Sequence, residues 1–153
     1  MLGGSLALAI AKRHPRAAVT LWARSAERVA EVRQRGYEHI TVDFELAVKN
    51  ADLVVLAVPV GVMRGLAERL VGTHPAEGLV VTDVGSVKGL PHEQLGGFLG
   101  ERGIKFIGSH PMAGSEQTGF DAADAELFEG APCILTNDQE YPDADVNRLV
   151  AFW

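Results

Sequence analysis

Strand-length apolar runs alternate with helix-patterned stretches along this chain, and that alternation constrains its fold more than any other feature. The runs fall at Ala18–Trp22, around His39–Val42, and at Asp52–Val58, Leu79–Val84, Ile104–Ile107 and Pro132–Thr136. Helical patterns occupy Ser25–Arg35, Phe44–Asn50, Gly61–Val71, Val87–Leu99 and Ala144–Trp153. Strands separated by helices join as βαβ units, because a parallel pair needs a crossover and the helices then cover both sheet faces. The expected class is α/β, with a doubly wound, mainly parallel sheet.

The front of the chain refines this. Leu2–Ala11 is apolar, but no positive residue precedes it, Lys12 and Arg13 follow it, and it is too short to span a bilayer. Gly3-Gly4-Ser5 followed by Leu6, Leu8, Ala9 and Ile10 reads as the first turns of a buried helix. A Rossmann-like dinucleotide fold feeds a first strand through G-x-G-x-x-G into such a helix, and Gly3 occupies the place of the last fingerprint glycine. The expectation is a Rossmann-like domain over residues 1–153 whose first strand is missing, leaving a gap in mid-sheet. Ala151-Phe152-Trp153 stops inside a helical pattern, so a fragment of a longer protein is expected.

Composition narrows the function. Fourteen Lys and Arg against twenty Asp and Glu give a net charge of −6, with the acidic residues scattered. That argues against a nucleic-acid footprint or an anionic membrane surface. The single cysteine, Cys133, sits in the apolar run Ala131–Leu135 and reads as a small buried hydrophobe in a reducing cytoplasm. His14, His39, His74 and His92 share no ligand spacing, so they read as surface or loop residues and no metal site is expected. Arg13, Arg16, Arg24 and Arg28 read as a solvated surface.

The candidate site residues cluster where strands end, which in an open α/β sheet is where ligands bind. Ser109-His110-Pro111-Met112-Ala113-Gly114-Ser115-Glu116 follows the run Ile104–Ile107 and places an imidazole where a strand gives way to a loop. His110 is the general-base candidate near neutral pH. Gly3, Gly4 and Ser5 offer backbone N–H groups to a pyrophosphate at a helix start. After Trp22, Ala23 stands where an NAD-binding fold usually carries a carboxylate for the ribose 2′-hydroxyl. Arg24 and Ser25 could hold a 2′-phosphate instead, which favours NADP and leaves NAD possible. Ser25 also reads as a helix N-cap. Val58, Pro59 and Val60 would line a nicotinamide or ribose face. Asp83-Val84-Gly85-Ser86-Val87-Lys88 brings a glycine, a hydroxyl and an ammonium to the same rim. Ser86 reads either as a site hydroxyl or as an N-cap, and Lys88 as a solvated first-turn residue.

Four segments together, Gly3-Gly4-Ser5-Leu6-Ala7, Ala51–Pro59, Thr82–Lys88 and Ser109–Glu116, joined by Gly119 and Leu127-Phe128-Glu129-Gly130, resemble the nucleotide-binding domain of the prephenate and arogenate dehydrogenases of tyrosine biosynthesis. The resemblance implies oxidative decarboxylation, with hydride passing to a nicotinamide cofactor while loss of carboxylate aromatises the ring. It assigns His110 to take the hydroxyl proton and Ser86 to orient His110, the hydroxyl and the nicotinamide. Asp83 and Gly85 would touch the cofactor, and Ser115 and Glu116 the substrate. It further implies a homodimer formed through a helical C-terminal domain absent here, which also supplies cations for the substrate. Residues 1–153 alone are therefore expected to be inactive, an expectation that turnover of prephenate or arogenate by this chain would overturn. The competing readings are a β-hydroxyacid dehydrogenase of the 6-phosphogluconate type and a non-catalytic nucleotide-binding fragment.

Overall fold

The computed structural model describes residues 1–114 and 117–153, and its chain forms two compact units: Met1–Lys49 with Ala113–Ala131, and Asn50–Met112 with Pro132–Trp153. The architecture is a Rossmann-like α/β fold.

The first unit begins with α1 (Leu2–Arg13), whose small first turn buries Ser5, Leu6 and Ala7. A short parallel ladder follows, β1 (Leu21–Trp22) against β2 (Ile40–Thr41), linked by α2 (Ala26–Gln34). Ser25 caps α2, its hydroxyl accepting from the Arg28 N–H at 3.4 Å, and Asp43 caps α3 (Phe44–Val48) through the Leu46 N–H at 3.1 Å. The core gathers Ala7, Ala23, Val29, Val32, Tyr37 and Ile40, with Phe120 packed against it. The segment Ala113–Ala131 is tied to the helices by Lys12–Glu126, Arg13–Glu129 and Arg35–Asp121 ion pairs. Arg13 and Arg28 are thus exposed but paired, Arg28 with Glu31 at 2.6 Å.

The second unit holds a parallel ladder in the order β3 (Leu53–Leu56), β4 (Val80–Asp83), β5 (Lys105–Phe106). Leu56 lies opposite Asp83, so β3 and β4 end together. The crossover is α4 (Val60–Gly72), which turns Met63, Leu66, Ala67 and Leu70 inward at helical spacing. The pattern at Val87–Leu99 becomes α5 (Gly89–Pro91), a π-helical turn (His92–Gly96) and α6 (Gly97–Gly100), because Pro91 and three further glycines weaken a continuous α-helix. At the end α7 (Asp143–Phe152) sets Leu149 against Val80 and Ile107, flanked by Phe152 and Trp153.

The apolar run at Ile104 does not end at Ile107. The paired ladder with β4 ends at Phe106, Ile107 still donating to the Val81 carbonyl at 3.1 Å, and the chain continues as β6 (Gly108–Pro111), antiparallel to β7 (Cys133–Thr136), with Gly108 opposite Thr136 and His110 opposite Ile134. Every expected strand is present, and the parallel strands fall in two separate ladders, β1–β2 and β3–β4–β5. No helix among the described residues is long and apolar enough to cross a membrane.

Candidate active site

In the second unit the carboxyl ends of β3 and β4 deliver neighbouring loops. Pro59, exposed, ends pairing after β3 and opens α4, and Val58 and Val60 beside it are half-buried. After β4 the chain runs through Gly85 to an exposed Ser86. Lys88, not Ser86, stands at the N-cap position of α5, so the Ser86 hydroxyl caps no helix. His110 occupies the third position of β6, one residue short of the strand end and four beyond Phe106, where β5 stops. The imidazole therefore projects from a paired strand. Pro111 closes that strand without an N–H to contribute.

Alternation along β6 sorts its side chains. Ser109 faces inward, its hydroxyl 2.6 Å from Thr82 Oγ1 and accepting from Trp153 Nε1–H at 3.0 Å. Gly108 and His110 share the other face with Thr136 and Ile134 of β7. A Cβ on Gly108 would lie 2.5 Å from Thr136 Oγ1, 2.9 Å from His92 Nε2 and 3.2 Å from Lys88 Cδ, so the position tolerates no side chain. Ile134 is 49% exposed directly across from His110, and Met112, two residues on, is 57% exposed. Sequence reading had not included Ile134 in the site; its only signal was its place in the last apolar run.

Two polar residues behave differently from expectation. Asp83 is fully buried, and its carboxylate accepts from the Gly85 N–H at 3.0 Å, the Ser109 N–H at 3.4 Å and the Lys88 ammonium. The charge is retained because it is paired and hydrogen-bonded. Lys88, expected in solvent, is 15% exposed, bonded to Asp83 and 2.6 Å from the Ser109 carbonyl. His92, expected at the surface, is buried too. Its Nε2 is 2.5 Å from Thr136 Oγ1, its Nδ1 is 3.7 Å from Asp138, and burial lowers its pKa, with the Asp138 carboxylate opposing that shift. Cys133 is half-buried, its thiol pushed up by burial.

The first unit carries the expected phosphate-facing residues. The first turn of α1, with Gly3 and Gly4, contains no acidic residue and receives no side-chain cap, so the positive end of the helix dipole is not offset within the helix. Gly4 is small for a second reason: a Cβ there would lie 2.8 Å from the Phe120 ring. Ser5 is fully buried, and its hydroxyl accepts from the Asp124 N–H at 3.0 Å, so its side chain is engaged within the unit. Arg24 is exposed two residues beyond the end of β1, and Ala23 between them is buried. The Ser25 hydroxyl is engaged as a cap and also holds the Glu27 carboxylate, whose pKa is lowered first by its own backbone hydrogen bond and then by Ser25. Ser115 and Glu116 lie outside the described residues. No cluster of metal-ligating side chains occurs among the described residues.

Comparison with known proteins places this arrangement among relatives. Residues 6–153 match the family model described as prephenate dehydrogenase, nucleotide-binding domain. The prephenate dehydrogenase of Lactococcus lactis subsp. cremoris is 36% identical over 141 residues, covering 92% of this chain and 39% of that protein. The cyclohexadienyl dehydrogenase of Zymomonas mobilis is 36% identical over 116 residues, covering 76% of this chain and 39% of that protein. The chain thus spans about two-fifths of the length of these relatives. Among solved structures, Aquifex aeolicus prephenate dehydrogenase in complex with hydroxyphenyl propionate and NAD+ superimposes with a TM-score of 0.86 at 28% identity, over 99% of this chain and 52% of that one. Synechocystis arogenate dehydrogenase gives 0.82 at 27% identity, over 99% and 52%.

Proposed function

Because the chain belongs to the prephenate dehydrogenase family, over that family's nucleotide-binding domain, we propose that it is the cofactor-binding and base-bearing part of an enzyme that oxidatively decarboxylates prephenate or arogenate. The observation that carries the reading is that one unit holds both a strand-borne His110 and an exposed, non-capping Ser86. His110 would accept a hydrogen bond from the ring hydroxyl and then its proton, which raises electron density at the carbon that loses hydride. Ser86 would orient that hydroxyl and the imidazole, its own oxygen being free of helix-capping duty. Ile134 and Met112 would give the imidazole an apolar margin that excludes water from the proton transfer.

A nicotinamide cofactor, when bound, supplies the hydride acceptor. The residues present fit such a group: Gly3 and Gly4 at the uncapped start of α1 for the pyrophosphate, and Val58, Pro59, Val60, Gly85 and Ser86 for the nicotinamide half. NADP is the proposed preference, since no carboxylate follows β1 and Arg24 is exposed there. Ser115 and Glu116 are proposed substrate neighbours. A homodimer, a small anionic substrate and a cytoplasmic setting complete the reading.

The test is His110→Asn in the full-length protein carrying this sequence, assayed with prephenate and with arogenate. Turnover is expected to fall by about two to four powers of ten. Activity within tenfold of wild type would remove His110 as the base and favour a β-hydroxyacid dehydrogenase whose base lies elsewhere; cofactor binding without turnover in the wild type would favour a non-catalytic role.

A further inference from the structure

Lys88 and Asp83 form a closed bracket around the loop that bears Ser86. The lysine ammonium has three protons, and the structure provides three acceptors: both Asp83 carboxylate oxygens and the Ser109 carbonyl. From the other side the same carboxylate accepts the Gly85 and Ser109 N–H groups. Four covalently distinct points are thereby tied together: the end of β4, the glycine before Ser86, the start of α5, and the residue before His110.

We propose that the buried Asp83–Lys88 pair is a positioning device that fixes the Ser86 loop against the strand carrying His110. Neither residue needs to touch a reactant to do this. The pair holds the hydroxyl and the imidazole of the reading above in one mutual geometry, and the proposal rests on that reading. Three features favour positioning over mere stability. First, the bracket spans a short loop whose one exposed hydroxyl is a candidate functional group. Second, it binds backbone atoms of Gly85 and Ser109, each one residue from a proposed functional side chain. Third, the bond to the Ser109 carbonyl is made in a strand whose inward face is separately secured by Thr82 and Trp153, so β6 does not need Lys88 to stay packed.

The experiment compares the full-length wild type with Asp83→Asn/Lys88→Met. The double replacement leaves no lone buried charge, and Lys88→Met alone serves as the control for one. Three readouts are taken: thermal midpoint, kcat against KM, and amide deuterium exchange at Gly85, Ser86, Ser109 and His110. The double variant is expected to keep its fold, to exchange those four amides faster, and to lose about tenfold to a hundredfold in kcat with KM values within about twofold, as small misplacements of reacting groups do. Unchanged exchange would overturn the bracket whatever the activity. Faster exchange with unchanged kcat would overturn positioning, as would a rise in KM alone, which would instead make Lys88 a substrate ligand. If the double variant does not fold, the same readouts on Lys88→Gln and Asp83→Asn decide it by the same criteria. Should the wild type itself fail to turn over prephenate or arogenate, the functional reading falls, and faster exchange would leave the bracket standing only as a loop clamp.

Discussion

Gly108 shows how far a single missing methyl group can determine a site. Thr136, His92 and Lys88 converge on the space a Cβ would fill, so Gly108→Ala must push β7, the π-helical turn or the bracket lysine aside. Overpacking of this kind costs about 1–3 kcal/mol, and urea denaturation should give a midpoint lowered accordingly. Arg24 makes the opposite case, an exposed residue whose loss leaves the fold alone. Arg24→Gln should raise the KM for NADP by about tenfold, the value of one hydrogen bond to a charged group, while the KM for NAD stays within twofold. Equal changes for both cofactors would remove the 2′-phosphate role. At this scale the sequence was legible in where it put candidate side chains, with His110 near the end of a strand and Ser86 exposed in the loop after β4. It was misleading where burial decides: Lys88 and His92 look polar and solvent-facing until Ser109 and Thr136, far along the chain, enclose them.

Among the elements, the segment from Gly89 to Gly100 departs most from its pattern, and His92 at the head of its π-helical turn has a consequence for stability. Burial lowers its pKa below the unfolded value of about 6.5, so the unfolded chain binds the proton more readily. The stability contributed by the neutral ring is therefore complete above about pH 6.5 and is lost as pH falls from there toward the folded pKa. His92→Gln should flatten the fall in melting temperature between pH 6.5 and 5, measured by circular dichroism; an unchanged slope would assign that acid sensitivity to other groups. Element types followed from periodicity and capping residues, as with Ser25 and Asp43. Boundaries and pairings did not, because apolar character at Ile104–Ile107 cannot reveal that the strand continues past it with a new partner.

Across the whole molecule, the last helix matters more than its amphipathic pattern suggested. Leu149 packs on Val80 and Ile107, and Trp153 reaches the Ser109 hydroxyl behind the catalytic-strand candidate. Leu149→Ala should cost about 2–5 kcal/mol, while the exposed Val150→Ala should cost under about 0.5 kcal/mol; similar losses for both in chemical denaturation would contradict the packing. The fold class was readable because strand and helix signals alternate along nearly the entire length. The division into two compact units was not, since the segment Ala113–Ala131 rejoins the first unit through ion pairs and the Phe120 contact, none of which leaves a periodic trace.

The change of partner within Lys105–Pro111 means that one backbone serves two rulers at once. Up to Phe106 its phase is set by β4, and from Gly108 onward by β7. Because the two sides of a strand exchange with every residue, inserting or deleting a single residue near Ile107 would leave the first half in place and invert the second, sending the imidazole inward and the Ser109 hydroxyl outward. The imidazole's address is thus written in the count of residues between two pairings.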